Sequence, residues 1–236
     1  MENSPVKSSR WMTALCATAL LGGGAYYFSG GDHAAIGIAQ AAEGKAIAAP
    51  TAKITEAIGE QVAVFAGGCF WGVEGVYERV DGVLRVESGY AGGSKSDADY
   101  GRVSDGVTKH AEAVRIVYDP TRVSYDTLLH IFFSVAHNPT ELNRQGPDTG
   151  TQYRSAIFPA NAEQRTAAES YIKQLGKAKS WRQPIVTRIE TGEFFAAEAY
   201  HQDYMANNPN SGYIVTFDLP KVRALKQLFP NVYRGK

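Results

Sequence analysis

The chain has 236 residues, with 24 lysines plus arginines against 24 aspartates plus glutamates and a formal charge of zero. Hydrophobic residues make up 44% and charged ones 20%, which supplies a packed core and excludes wholesale disorder. The charge balance argues against a protein that grips nucleic acid through its phosphates. The two cysteines, Cys16 and Cys69, are too few for a zinc cage of cysteines, and no disulfide framework survives loss of the first.

Taken in chain order, residues 1–41 read as an address, a signal peptide or a signal anchor. Lys7 and Arg10 precede an uncharged, fairly apolar stretch at 11–28, and Asp32 is the first charge after it. The stretch exceeds a secretory core of about 7–15 residues and approaches the roughly 17 needed to span a bilayer. Gly22, Gly23 and Gly24 weaken it as a permanent membrane helix, and Ala39-Gln40-Ala41 offers a small-x-small cleavage site. Cleavage is therefore favoured over retention, and the protein is expected to be exported, to the periplasm or cell envelope. Residues 42–58, rich in alanine and without a sustained period, read as a flexible linker. Residues 59–236 form the globular domain.

Within that domain, 61–66 alternate as a strand that ends in Gly67-Gly68, and Phe70, Val73, Val76, Tyr77 and Val80 fall at helical spacing. Strands follow at 83–90 and 111–118, the second stopped by Asp119-Pro120. Ser124 is an N-cap for a helix carrying Leu128, Leu129, Phe132 and Val135. The polar stretch 137–152 is long for an unstructured loop, a length usually tied to function or disorder. Residues 153–158 form a strand, Asn161 caps a helix to about Lys177 with Gln164 in capping-box position, and 185–190 form the last strand. Helices at 197–205 and 220–229 complete the chain. The mixture gives an α/β (α+β) two-layer domain with a mixed sheet flanked by helices.

The strongest local feature is Gly67-Gly68-Cys69-Phe70-Trp71-Gly72, between a strand and a helix. A cysteine at a helix N-terminus meets unpaired N–H groups and the positive end of the dipole, so its thiolate is expected to be favoured and its pKa lowered. The ordinary alternative is a buried apolar cysteine under a helix. His110, His137 and His201 invite a metal site or a cysteine–histidine dyad, but their spacing fits no metal pattern and they read as structural.

Gly68-Cys69-Phe70-Trp71-Gly72 resembles the active-site motif of the A-type peptide methionine sulfoxide reductases. Gly89-Tyr90-Ala91-Gly92-Gly93, His110-Ala111-Glu112, Tyr118-Asp119-Pro120, Gly150-Thr151-Gln152-Tyr153-Arg154-Ser155 and Ala197-Glu198-Ala199-Tyr200-His201-Gln202 follow in the family's order. The resemblance spans about 62–229 and implies the family's ferredoxin-like fold. It implies that Cys69 attacks the sulfoxide sulfur and becomes a sulfenic acid, with Glu112 as the acid that protonates the departing oxygen. By the same resemblance Tyr100 and Tyr153 bond that oxygen and Asp148 supports the site from the long loop. Phe70 and Trp71 box the substrate's methyl group, which selects the S epimer. The substrates implied are methionine sulfoxide in proteins and the free amino acid. No bound cofactor or metal is implied, only an external thiol: a thioredoxin-like protein, glutathione or dithiothreitol. A monomer is expected, with membrane contact only through an N-terminal anchor.

The sequence departs from the family pattern in three places. Thr108-Lys109-His110 and His137-Asn138-Pro139 vary the usual Thr-Gly-His and His-Asp-Pro. Many relatives place resolving cysteines after Asn-Pro-x-x-Gly-Tyr, whereas Asn208-Pro209-Asn210-Ser211-Gly212-Tyr213 runs into Ile214-Val215 and no cysteine follows Cys69. That resembles the single-cysteine branch. Two rival readings remain at this level: a hydrolase that pairs Cys69 with a histidine, and a non-catalytic envelope domain in which the cysteine only packs.

Overall fold

The computed structural model describes residues 44–235, which belong to one unit running Gly37–Lys236. The address segment 1–41, with Cys16, and the first two linker residues lie outside the described residues.

Strand β1 (Gln61–Gly67) leads directly into helix α1 (Phe70–Tyr77), and β2 (Val83–Ala91) follows. A short helix α2 (Tyr100–Ser104) precedes β3 (Ala111–Tyr118). Helix α3 (Tyr125–Ile131) is capped by the Ser124 side chain, which accepts from the Thr127 N–H, and runs on as a π-turn, Phe132–Ala136. The polar stretch contains a small hairpin, β4 (Arg144–Gln145) and β5 (Asp148–Thr149). Next come β6 (Ser155–Ile157), α4 (Ala162–Lys177), β7 (Arg188–Ile189) and β8 (Phe194–Ala196). Helices α5 (Tyr204–Asn207) and α6 (Leu219–Leu228) end the chain, the latter with proline at its first turn.

Among the described residues the strands form a six-stranded sheet in the order β7-β6-β1-β3-β2-β8. All pairs are antiparallel except β6–β7. A parallel pair needs a long crossover, and α4 supplies it. The sheet is mixed, as expected. Its helix-covered face holds the main core, where Phe65, Val114, Ile116 and Tyr118 meet Val73, Tyr77, Leu128, Leu129, Tyr171 and Leu225. The opposite face is lined by small residues, Ala66, Ala91, Ala111, Ala113 and Ala156, under Phe158. Side chains alternate along a strand, so Glu112 projects to the same face as Val114 and Ile116, towards α1.

Several boundaries differ from the sequence reading. Helix α1 stops at Tyr77, because Val80 pairs with Tyr233 instead of continuing the helix. The strand at 153–158 shrinks to β6, and Tyr153 sits in a 3₁₀ turn, Thr151–Tyr153. The strand at 185–190 reduces to β7, and β8 was not foreseen. The helix at 197–205 splits into a 3₁₀ turn, Ala199–His201, and α5, because Asp203 takes a left-handed φ of 52° between them. Asn161 caps α4 as read, but the Gln164 carboxamide oxygen accepts from Ala160 N–H, one residue before the cap.

The linker reading at 42–58 also needs correction from Gly44 onwards. Lys45 N–H donates to Ser134 O, His130 Nε2 meets Ile47 O at 2.9 Å, Tyr171 OH donates to Ala48 O and Gln174 Nε2 to Ala49 O. Glu56 accepts from Tyr118 OH and from the Tyr125 N–H at the start of α3. The bonds at Ile47, Ala48 and Ala49 are made through backbone carbonyls, which carry no side-chain signal.

Candidate active site

The site starts where β1 turns into α1. Gly68 has φ 89°, a left-handed conformation that L side chains avoid, and a Cβ there would press on the Gln145 side chain at 2.5 Å. This turn sets Cys69 at the N-cap position of α1, with φ −51° and ψ 121°. The first N–H of the helix, Phe70 N–H, is taken by Glu112, whose Oε2 accepts at 3.1 Å. The central strand β3 therefore delivers its carboxyl to the helix start that carries the thiol.

Burial decides the protonation states here. Glu112 is 2% exposed, and desolvation, helped by Asp148 and opposed by the Phe70 hydrogen bond, pushes its pKa up to about 8. Cys69 is 8% exposed, and its thiol is raised well above its ordinary value, first by burial and then by the negative charges of Glu112, Asp218 and Asp148; Lys221 opposes them. The low-pKa thiolate expected at the helix N-terminus is thus overturned. The helix is short, its first donor is already engaged by a carboxyl, and desolvation outweighs what remains of the dipole.

The other sequence candidates converge on the same place. Tyr153 interacts electrostatically with Glu112, Asp148, Cys69 and Tyr100, and burial first, then these neighbours, keeps its hydroxyl protonated. Asp148, from the hairpin in the polar loop, accepts from Tyr213 OH, and burial raises its pKa. The Phe70 ring lies 5.0 Å from that of His201, while Trp71 stacks on Tyr204 at 3.7 Å and meets the edge of Tyr213 at 5.9 Å. Tyr100 packs on His201 at 4.4 Å, and its N–H donates to Glu198, which also accepts from Tyr90 OH.

Sequence reasoning had not assigned Tyr204, Tyr213, Glu198, Asp218 or Lys221 to the site. Glu198, His201 and Tyr213 stood in the quoted motif blocks, but Asp218 and Lys221 sat in no pattern.

None of the three histidines serves Cys69. His137 is held by Phe132 O at 3.0 Å and Ser155 Oγ at 2.7 Å, and burial lowers its pKa to about 3. His110 accepts from Gly93 N–H at Nδ1 and meets Ser94 O at Nε2. His201 Nδ1 accepts from Trp71 Nε1–H at 3.1 Å; an indole nitrogen can only donate, so the histidine proton sits on Nε2. No group of three or more metal-ligating side chains occurs among the described residues. A broad groove of about 630 Å³ around Trp181, Lys45 and Arg182 lies on different elements from this site.

A thiol and a carboxyl that both hold protons near neutrality, walled by aromatic rings and without a histidine base, equip a cysteine enzyme for redox chemistry at sulfur rather than for hydrolysis. The peptide methionine sulfoxide reductase family model matches residues 61–231, and the chain belongs to that family. It is 59% identical over 179 residues to peptide methionine sulfoxide reductase MsrA 2 of Mesorhizobium japonicum, covering 75% of this chain and 92% of that protein. Against MsrA of Deinococcus radiodurans it is 49% identical over 176 residues, 74% of this chain and 85% of the relative. The fold is similar to that of reduced Mxr1 from Saccharomyces cerevisiae, with a TM-score of 0.58 at 35% identity over 68% of this chain and 92% of the other. It is also similar to methionine sulfoxide reductase A of Corynebacterium diphtheriae, with a TM-score of 0.56 at 37% identity over 64% and 76%. The protein is an oxidoreductase acting on sulfur, a reductase of peptide methionine sulfoxide.

Proposed function

We propose that the enzyme reduces the S epimer of methionine sulfoxide, in proteins and as the free amino acid, with Cys69 as nucleophile and Glu112 as acid. The observation that carries this reading is the buried Glu112 carboxyl, with a pKa of about 8, bonded to the first N–H of the helix that Cys69 caps. At pH 7 most of this carboxyl is protonated, as an acid for a poor oxyanion leaving group must be.

The Cys69 sulfur attacks the sulfoxide sulfur while Glu112 gives its proton to the oxygen. The thiol proton restores Glu112, the oxygen ends on Cys69 as a sulfenic acid, and methionine leaves two electrons richer. Tyr100 and Tyr153 hydroxyls hold the oxygen. Phe70 and Trp71, the latter braced by Tyr204, form the apolar wall for the methyl group, so one fixed oxygen and one fixed methyl position select a single epimer. An external thiol, a thioredoxin-like protein or a small thiol such as glutathione, then attacks Cys69, releases water and leaves a mixed disulfide that a second thiol opens.

The charge pattern of residues 1–41 supports an exported, periplasmic or envelope location. No helix among the described residues is long and apolar enough to cross a membrane.

The test is reduction of separated S and R methionine sulfoxide by the protein with dithiothreitol. Turnover of the S form alone, lost in Cys69→Ser, is expected. Equal turnover of both epimers, or activity in the serine variant, overturns the assignment.

A further inference from the structure

The start of the last helix holds a buried ion pair that the reaction above leaves unused, Asp218 from the turn before α6 and Lys221 from its first turn. Asp218 is fully buried and Lys221 nearly so, with Nζ 3.1 Å from Oδ1. The second carboxylate oxygen, Oδ2, has no hydrogen-bond partner among the described residues. Both charges press on Gly72, in the first turn of α1 three residues after Cys69. A Cβ at Gly72 would collide with Asp218 Oδ1 and stand 2.8 Å from Lys221 Nζ. The absence of a side chain at Gly72 is what lets the pair approach the helix that presents the thiol.

Buried pairs of this kind are weak contributors to stability compared with apolar packing of the same volume. Their placement around the thiol suggests another use. Glu112 from β3, Asp148 from β5 and Asp218 from the turn before α6 all oppose a negative charge on Cys69, and Lys221 favours one. Lys221 acts in the same sense on Asp148 and Asp218 and disfavours a cation on the buried His137. The Tyr153 and Tyr213 hydroxyls, which also face the thiol, stay protonated because burial raises both, with charge on Cys69 adding to the effect.

We propose that Asp218 and Lys221 are positioning residues for the reaction: Asp218 anchors Lys221 against Gly72, and Lys221 is the cation held at the start of the helix that presents Cys69, where it favours the nucleophilic thiolate against the carboxylates around it. This rests on Cys69 being the nucleophile, but the test reads the thiol directly.

The rate of Cys69 alkylation by iodoacetamide is followed against pH in the full chain, by mass spectrometry of the Cys69 peptide so that Cys16 does not contribute. Lys221→Met should move the midpoint upward, slowing alkylation on the low-pH side by about tenfold for each pH unit moved. Asp218→Asn should move the midpoint downward, and Lys221→Arg should keep it near the wild type. Should Lys221→Met not fold, the Asp218→Asn/Lys221→Gln pair keeps a hydrogen bond without either charge, and its midpoint should lie above that of Asp218→Asn alone. A merely structural pair would change stability and leave every midpoint in place, which overturns the proposal. Unmoved midpoints with intact sulfoxide reduction sink the role of the pair alone. Moved midpoints in a protein that reduces no sulfoxide keep the pair and sink the catalytic reading.

Discussion

In the proposed mechanism Glu112 supplies the proton, and its burial has two measurable consequences. The first concerns rate. An amide at this position still accepts the Phe70 N–H but has no acidic proton to give, so Glu112→Gln should bind sulfoxide while forming the sulfenic acid about 10²–10⁴-fold more slowly in single turnover. An unchanged rate would remove Glu112 from the mechanism. The second concerns stability. Unfolded, the carboxyl releases its proton near its ordinary value; folded, it keeps the proton up to about 8. Between those values the native state binds more protons than the unfolded one, so this group costs the fold stability as pH rises through that window and costs nothing below it. Glu112→Gln removes that cost. The variant's advantage over the wild type should widen from about 1 kcal/mol near pH 5 to about 4 kcal/mol near pH 8, read as a growing difference in denaturant midpoints. The sequence named seven residues that the fold brings to one place, which establishes their proximity and not their roles. A protonated Glu112 in a desolvating pocket was foreseeable, but the state of Cys69 was not: the helix-terminus argument gave it the wrong direction because burial, which the local sequence does not reveal, outweighs the dipole, and the carboxyls brought in by other elements add to it.

At the scale of elements, what could be read depended on whether an element carries its own periodic signal. Strands β1, β2 and β3 are seven to nine residues long, rich in β-branched residues and closed by glycine or Asp-Pro, and their bounds are close to those read from the sequence. β7 is two residues long and lies inside the strand read at 185–190, whereas the three-residue β8 exists only because it pairs with β2, so composition could not show it. The segment from Gly44 to Glu56 is a similar case, since the carbonyls of Ile47, Ala48 and Ala49 bond His130, Tyr171 and Gln174 with no side-chain signal. Its docking predicts an asymmetry between truncations. A chain starting at residue 44 keeps these bonds, whereas one starting at residue 59 leaves several buried partners unsatisfied. At roughly 0.5–1.5 kcal/mol per bond, the shorter chain should lose about 3 kcal/mol more in a urea titration. Equal midpoints for the two would mean that the segment adds nothing to the fold. Gly72 illustrates the opposite case of a position with no freedom. Gly72→Ala forces a methyl group onto Asp218 and Lys221, and a loss of about 1–3 kcal/mol is expected by calorimetry despite the better helix propensity of alanine.

The whole molecule determines how the oxidised enzyme is restored. Among the described residues Cys69 is the free cysteine, and the sequence has no other after it. The stretch after Tyr213 folds instead as a turn, Ile214–Asp218, that leads into α6 and brings Asp218 behind the thiol. The described residues hold no second thiol to condense with a sulfenic acid at Cys69. One equivalent of sulfoxide should therefore oxidise Cys69 and stop, leaving a sulfenic acid, or a sulfenamide if a neighbouring backbone nitrogen condenses with it. Renewal requires an outside thiolate to reach a sulfur that is only 8% exposed, which favours a small thiol or a partner that docks closely at the mouth of the site. Intact-mass spectrometry after sulfoxide treatment without reductant is the direct measurement, made on the chain from residue 44 so that Cys16 is absent. A gain of one oxygen that dimedone captures is expected, followed by a glutathione adduct when that thiol is added, with no loss of two hydrogens at any stage. In the full chain, a loss of two hydrogens would mean that Cys16 reaches Cys69, and recycling would then proceed through an internal disulfide.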